Sequence, residues 1–259
     1  MLQSVKSLQG YFVEATDGSV GHVEDLIVEE EGWIVRYLVV DTRNWLAGRR
    51  VLFIGCGTTS SAVADLARRG ADVWCADISP DLLQQLMRYP FGELAGRVHA
   101  VTADAERMPF GEGVFDMVVG KAIVHHLNIP AFLAEVDRVT VPGATLVFSE
   151  PLGANPLINL FRWLTPALRD ADEHPLRHRD IQMIRGRGAS LEAEYHFLFS
   201  AASFPWYLVG LTKVGDVFFR AGCWLDRIVF RIFPPARWLA WAVTLVGRTK
   251  GTTGKVAHG

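Results

Sequence analysis

The sequence predicts an α/β protein with a doubly wound, mostly parallel sheet, preceded by a small N-terminal all-β segment. From Arg49 onward, short apolar runs alternate with amphipathic helical patterns, and this alternation is typical of a parallel sheet with helices on both faces. The first apolar run ends in the glycine turn Gly55-Cys56-Gly57. Residues 1–48 instead show the period-two alternation and the turn signals of antiparallel strands.

Residues 1–48 are predicted to be all β. Asp17-Gly18 is a turn signal, "GHVEDLIVEE" alternates apolar and polar residues, and "WIVRYLVVDT" is rich in β-branched and aromatic residues. The stretches "GYFVEATDGSVGHVEDLIV" and "IVRYLVVDTRNWLAGRRVLF" resemble the first half of a PRC-barrel domain. The resemblance implies an interaction or scaffold module without chemistry of its own. An inert remnant of a gene fusion is the alternative, and an open β edge makes a homodimer a further expectation.

Composition and charge limit the classes of function. The net charge of −2 combines −5 over residues 1–48, −3 over 49–200 and +6 over 201–259, which argues against a general nucleic-acid binder. The N-terminus lacks a signal-peptide pattern, and no apolar run approaches the roughly 20 residues that span a bilayer. Three scattered cysteines lack metal-ligand spacing and indicate a reducing compartment. We therefore expect a cytoplasmic protein without a metal site, with peripheral contact to the inner face of the membrane as an added expectation.

Acidic residues follow the second and third predicted strands of the α/β region. Asp77 lies about 20 residues beyond the glycine turn, where a carboxylate can accept hydrogen bonds from both ribose hydroxyls. The alternative is that Asp77 only caps the helix that begins near Ser79-Pro80. Asp104 follows the third strand, where a carboxylate could accept the amino group of adenine. Because strands of a parallel sheet present their carboxyl ends at one edge, these groups are predicted to share one site.

The motifs together resemble a class I S-adenosylmethionine-dependent methyltransferase, a Rossmann-like fold, over residues 49 to about 150. The matching stretches are "VLFIGCGTTSSA", "ADISPD", "ADAERMPF", "FDMVVGKAIVHHL" and "VPGATLVFSEP". The resemblance implies that S-adenosyl-L-methionine is the cofactor, and that the second domain runs over residues 49–259. It also implies a set of cofactor-binding residues: Gly55, Cys56, Gly57, Asp77, Ile78, Asp104, Ala105 and Lys121.

Three features depart from the pattern of that family. Phe53 stands where an acid is usual, Thr59 stands where a third glycine is frequent, and residues 1–48 occupy the place of helices that close over the cofactor. A threonine cannot adopt a positive φ at low cost. These departures keep a rival hypothesis open, a non-catalytic adaptor with a degraded cofactor site that binds a partner or a membrane surface. A nicotinamide oxidoreductase is a weaker third hypothesis, since the G-x-G-x-x-G spacing is incomplete.

Methyl transfer from a sulfonium requires mainly that donor and acceptor be held in near-attack geometry. A base is needed only where the acceptor must lose a proton, and His126, His174 and Glu150 are the candidate catalytic residues. The alternatives are structural: His126 could bond to backbone, Glu150 could cap a helix, and the acids beside His174 could form surface ion pairs. We expect a small or lipophilic acceptor.

The basic C-terminal part contains an aromatic helical insertion over residues 201–236, between two predicted final strands, "EYHFLFS" and "WLAWAVTLVGRTK". Asp216, Arg220, Arg227 and Arg231 form one polar stripe along its predicted helix. The favoured interpretation is that the apolar remainder of the helix packs as ordinary core. The alternatives are that it closes over the site or lies in a membrane interface. Residues 248–259 are predicted to be a flexible tail.

Overall fold

The computed structural model describes residues 46–156, 159–160, 163, 175–187 and 190–250, together with the backbone of residues 12–15, 18–29 and 34–41. The N-terminal strands are β1 (Phe12–Ala15), β2 (Gly18–Glu29) and β3 (Ile34–Asp41), paired antiparallel in sequence order. The resemblance of this segment to a PRC-barrel stays a prediction. His174 and residues 251–259 lie outside the described residues.

A seven-stranded sheet forms the centre of the α/β region, with the strand order β6-β5-β4-β7-β8-β10-β9. The first five strands are parallel, and β10 runs antiparallel to both of its neighbours. The bounds are β4 (Arg50–Ile54), β5 (Asp72–Asp77), β6 (Val98–Thr102), β7 (Phe115–Lys121), β8 (Thr140–Pro151), β9 (Ser190–His196) and β10 (Ala242–Arg248). The predicted doubly wound, mostly parallel sheet is therefore confirmed.

Among the described residues, six α-helices with defined bounds accompany the sheet. They are α1 (Ser60–Arg68), α2 (Pro80–Met87), α3 (Ile129–Val139), α4 (His178–Arg187), α5 (Phe204–Leu208) and α6 (Thr212–Ile232). Short side chains start two of them: Ser79 accepts a hydrogen bond from Leu82 N–H, and Asn128 accepts one from Ala131 N–H. A proline lies in the first turn of each of these two helices, where its missing N–H costs nothing.

The core consists of two clusters of buried side chains, and strand β4 contributes to both. Val51 and Phe53 belong to the cluster that contains α1 and α2, whereas Leu52 and Ile54 belong to the cluster that contains α3. All four are at most 2% exposed. Alternating side chains of a strand point to opposite faces, so β4 is buried on both faces, as a central strand of a doubly wound sheet should be.

Two strand boundaries differ from what the residue types suggest. Pro-Gly usually marks a turn, but β8 begins at Thr140 and includes Pro142 and Gly143 at an irregularity in its pairing with β7. Gly143 has φ +79°, a conformation that fits a glycine bulge. Strand β9 ends at His196, before the "FLFS" that was expected within it, because Phe197 has φ +64° and turns the chain.

The aromatic insertion is largely exposed, so the favoured interpretation of its helix as ordinary core is wrong. Of the 21 residues in α6, the buried ones are Gly215, Gly222, Asp226 and Phe230. Trp224 is 62% exposed and Val217 is 67% exposed.

Candidate cofactor and acceptor site

The glycine turn after β4 requires its two glycines for different reasons. Gly55 has φ +55° and Gly57 has φ +48°, a region that only glycine adopts readily. A Cβ on Gly55 would lie 2.5 Å from the Ile123 side chain, whereas a Cβ on Gly57 would point into open space. Thr59, at the start of α1, has φ −76°. The threonine at the expected third-glycine position therefore causes no left-handed backbone strain.

Asp77 at the end of β5 fixes this turn. Its Oδ2 accepts a hydrogen bond from Gly57 N–H at 2.8 Å, and its Oδ1 accepts one from Ser79 N–H at 2.9 Å. The side chain is nearly buried, and its neighbour Ile78 is 74% exposed. Because a carboxylate offers about four lone-pair sites, Asp77 retains capacity for two further donors such as vicinal hydroxyls. This arrangement fits a ribose beside the glycine turn.

Two side chains near the turn belong to the core. Phe53 is 2% exposed, so the side chain at the position of the usual acid packs among apolar residues. Cys56 is fully buried, and a hydrogen bond with Cys75, together with burial, raises the pKa of the Cys56 thiol. Cys56 is therefore a protonated core residue, and its contribution to the turn is its backbone.

The loop after β6 is held by a chain of hydrogen bonds. Asp104 Oδ1 accepts the N–H of Glu106 at 2.8 Å, and Glu106 Oε1 accepts the N–H of Asn128 at 2.7 Å. Asp104 itself is exposed and Ala105 is half-buried. The loop is thereby tied to the start of α3 while the Asp104 side chain stays accessible at the carboxyl edge of the sheet.

Strand β7 ends at Lys121, which is exposed, and the chain then turns sharply. Ala122 has φ +52°, and its N–H donates to the carbonyl of Ser149 at 2.8 Å. A positive φ at alanine is uncommon and marks a constrained turn. Such strained backbone persists only where neighbouring contacts determine it.

Glu150 on β8 supplies those contacts. Its Oε1 accepts the N–H groups of Ile123 and Val124, both at 3.0 Å, and its Oε2 lies 2.7 Å from Nδ1 of His125. A longer bond of 3.4 Å comes from His125 N–H. Glu150 is 1% exposed. Glu150 therefore holds the turn after β7 through its hydrogen bonds, and the catalytic role that the sequence suggested stays a prediction.

His126 lies next to this buried pair but has a different environment. It is exposed, its ring centre lies 4.1 Å from that of His125, and it lines a cleft of about 980 Å³. The remaining lining mixes aromatic, apolar and basic side chains, among them Trp163, Leu176, Arg177 and Trp238.

The described residues thus place the candidate cofactor residues on adjacent strand ends, β4 to β7, with the cleft beside them. Ile123 joins the two parts, since it contacts Gly55 and directly precedes the first cleft residue, Val124. No group of His, Cys, Asp and Glu side chains suited to a metal ion occurs in the part of the chain that the structure describes. His125, which was not among the predicted catalytic residues, points instead to the buried carboxylate of Glu150 at the end of the next strand.

The strand order and the strand-end arrangement are those of a Rossmann-like α/β fold. The sequence profile of the family described as "Methyltransferase domain" matches residues 52–148. A demethylmenaquinone methyltransferase of Mycobacterium tuberculosis is 38% identical over 113 residues, which cover 41% of this chain and 44% of the relative. The chain is therefore similar to less than half the length of this curated relative.

Solved structures show the same fold. Phosphoethanolamine N-methyltransferase 2 of Haemonchus contortus, solved with S-adenosyl-L-methionine, superposes with a TM-score of 0.55 at 16% identity, covering 79% of this chain and 49% of the other. Geranyl diphosphate C-methyltransferase of Streptomyces coelicolor, solved with S-adenosyl-L-homocysteine, gives a TM-score of 0.54 at 12% identity, covering 80% of this chain and 74% of the other.

Proposed function

We propose that the protein is an S-adenosylmethionine-dependent methyltransferase that acts on a small or lipophilic acceptor. The observation that carries the proposal is the hydrogen bond from Gly57 N–H to Asp77 Oδ2. It holds the two-glycine turn against a carboxylate at the end of the adjacent strand. Asp77 would hold the ribose hydroxyls, and Asp104 with Ala105 would face the adenine. The open space above Gly57 would admit the amino-acid part of the cofactor.

Bound S-adenosylmethionine supplies an electrophilic methyl carbon, so the chain's own task is mainly to position the acceptor. Glu150 would do this indirectly by fixing the turn that carries Lys121 and His126. For an O–H or N–H acceptor, His126 would accept the proton that the acceptor atom loses as the methyl–sulfur bond breaks and the bond between the methyl carbon and the acceptor forms. His174, outside the described residues, stays a candidate for a second base.

The cleft beside His126 supports an acceptor with an apolar or ring-shaped part. Trp163 and Trp238 contribute aromatic surface, and Arg177 adds a positive charge at the cleft. The relative that is similar by sequence is named for a lipophilic substrate, demethylmenaquinone. This name supports a lipophilic acceptor for this chain as well.

Calorimetric titration with S-adenosylmethionine and S-adenosylhomocysteine tests the cofactor site. We expect Asp77→Ala to weaken binding by at least roughly tenfold, because each hydrogen bond to a charged group contributes about 1.5–3 kcal/mol. The matched control is Asp72→Ala, at the opposite end of the same strand, where Asp72 forms an exposed ion pair with Arg97 at 3.5 Å. The control should bind as the unaltered protein does. Failure of the unaltered chain to bind either compound would favour the adaptor hypothesis.

A further inference from the structure

Helix α6 presents three different sectors around its axis. At about 100° per residue, the buried residues Gly222, Asp226 and Phe230 all fall within about 60° of Gly215. A second sector, about 180–300° from Gly215, is apolar and exposed. The members of this apolar sector are Val214, Val217, Phe218, Trp224, Leu225 and Ile232, each at least 38% exposed.

The third sector is basic. Lys213, Arg220, Arg227 and Arg231 fall about 120–160° from Gly215, directly beside the apolar sector, and all four are exposed. The acid nearest to them, Asp216, accepts a hydrogen bond from the Tyr207 hydroxyl at 2.8 Å. A helix that combines an apolar sector with a flanking row of arginine and lysine is typical of segments that lie in a membrane interface.

The helix cannot rotate to bury its apolar sector, because its opposite sector is fixed to the domain. Asp226 is 6% exposed and accepts hydrogen bonds from Phe199 N–H at 2.7 Å and from the Ser200 hydroxyl at 2.7 Å. At Gly222, an added Cβ would lie 2.4 Å from the backbone of Ser200, so the helix approaches the domain there without a side chain between them. The apolar sector is thus held outward.

The apolar sector extends beyond α6. In the preceding turn, Leu208 is 63% exposed, Val209 is 68% exposed and Leu211 is 49% exposed, and Phe233 after the helix is 60% exposed. Among the described residues, no helix is long and apolar enough to cross a membrane. The exposed apolar surface therefore fits a helix that lies in the plane of a membrane rather than one that spans it.

We propose that α5 and α6 dock the protein onto an anionic lipid membrane, with the apolar sector in the acyl boundary and the basic sector at the headgroups. The basic sector favours anionic lipid as the partner. It places four positive side chains beside the apolar sector, and a zwitterionic surface offers them no net attraction. The proposal is independent of methyl transfer and does not rest on it.

Co-sedimentation of the full chain with vesicles tests the proposal. We expect binding to vesicles of phosphatidylcholine mixed with phosphatidylglycerol, and binding at least about tenfold weaker to phosphatidylcholine alone. Trp224→Glu should reduce partitioning into the mixed vesicles by at least about tenfold, since it places a carboxylate in the apolar sector. The matched control is Met87→Glu at the end of α2, where Met87 is 41% exposed; it should partition as the unaltered chain does.

Two further measurements distinguish a lipid surface from a second copy of the chain as the occupant of the apolar sector. Replacing Arg220, Arg227 and Arg231 together by glutamine should reduce binding to the mixed vesicles by roughly a hundredfold and leave cofactor titration unchanged. Lack of binding of the unaltered chain to anionic vesicles would overturn the proposal. So would a dimer in light scattering that Trp224→Glu dissociates without any vesicle binding, because a second copy of the chain would then cover the apolar sector.

Discussion

Removing the Glu150 carboxylate tests how the turn after β7 is held. In Glu150→Ala, the N–H groups of Ile123 and Val124 lose their acceptor, and His125 loses its partner in a site where its side chain is 3% exposed. Each buried donor left unsatisfied costs about 1–3 kcal/mol, and breaking a buried pair by removing one partner costs about 3–5 kcal/mol. We expect the free energy of unfolding to fall by about 3–5 kcal/mol.

The expected loss is large enough for a simple assay. For a domain of this size, about 2–4 °C of melting temperature corresponds to each kcal/mol, so Glu150→Ala should lower the melting temperature by roughly 6–20 °C. Urea unfolding gives the free energy directly. The control is Glu192→Ala on β9, an exposed position, which should stay within about 0.5 kcal/mol of the unaltered chain.

Glu150→Gln distinguishes a positioning residue from a catalytic base. The amide keeps the shape and one carbonyl oxygen that can still accept the N–H groups of Ile123 and Val124, so we expect a loss of only about 1–2 kcal/mol. A positioning role predicts that Glu150→Gln retains measurable methyl transfer with an unchanged pH profile. The reasoning is refuted if Glu150→Ala unfolds within about 1 kcal/mol of the unaltered chain, or if Glu150→Gln keeps full stability and loses all turnover.

Two other predictions concern stability. Gly222→Ala should lower the free energy of unfolding by about 1–3 kcal/mol because its Cβ would collide with the backbone of Ser200. Gly186→Ala on α4 meets nothing within 4 Å and should raise the free energy of unfolding by up to about 1 kcal/mol. Urea unfolding should show changes of opposite sign for the two variants, and changes of the same sign would contradict the packing argument. A hydrogen bond from Arg138 lowers the pKa of Glu135. The contribution of this pair to the free energy of unfolding is therefore fully present above the ordinary carboxyl pKa of about 4.3 and is lost as pH falls through the lowered pKa. Unfolding measured from about pH 5 downward should therefore show a smaller loss of stability in Glu135→Gln than in the unaltered chain, and parallel curves would remove this pair as the cause.

Much of the fold could be predicted from the sequence, because in these segments the local residue pattern favours the same element that the tertiary structure contains. The apolar run at β4 and the helix start at Ser79-Pro80 each have one physical interpretation, and the structure contains both elements. The prediction of a carboxylate next to the glycine turn followed from the rule that parallel strands end at one edge. The boundary error after His196 arose because the strand stops at the positive φ of Phe197, which residue type alone did not reveal.

The sequence by itself determined the order of strands and helices, the two glycines of the turn and the strand-end acids, because these depend on periodicity and on backbone conformations that few residues allow. Only the tertiary structure decided which groups Glu150 contacts and which way α6 faces. A glutamate at a strand end can bind a substrate or accept hydrogen bonds from backbone N–H groups. Which of these contacts it makes depends on the N–H groups that the fold brings within 3 Å of its carboxylate. The apolar sector of α6 would suit a core equally well, and it is exposed because Asp226 and Gly222 fix the opposite sector to the domain.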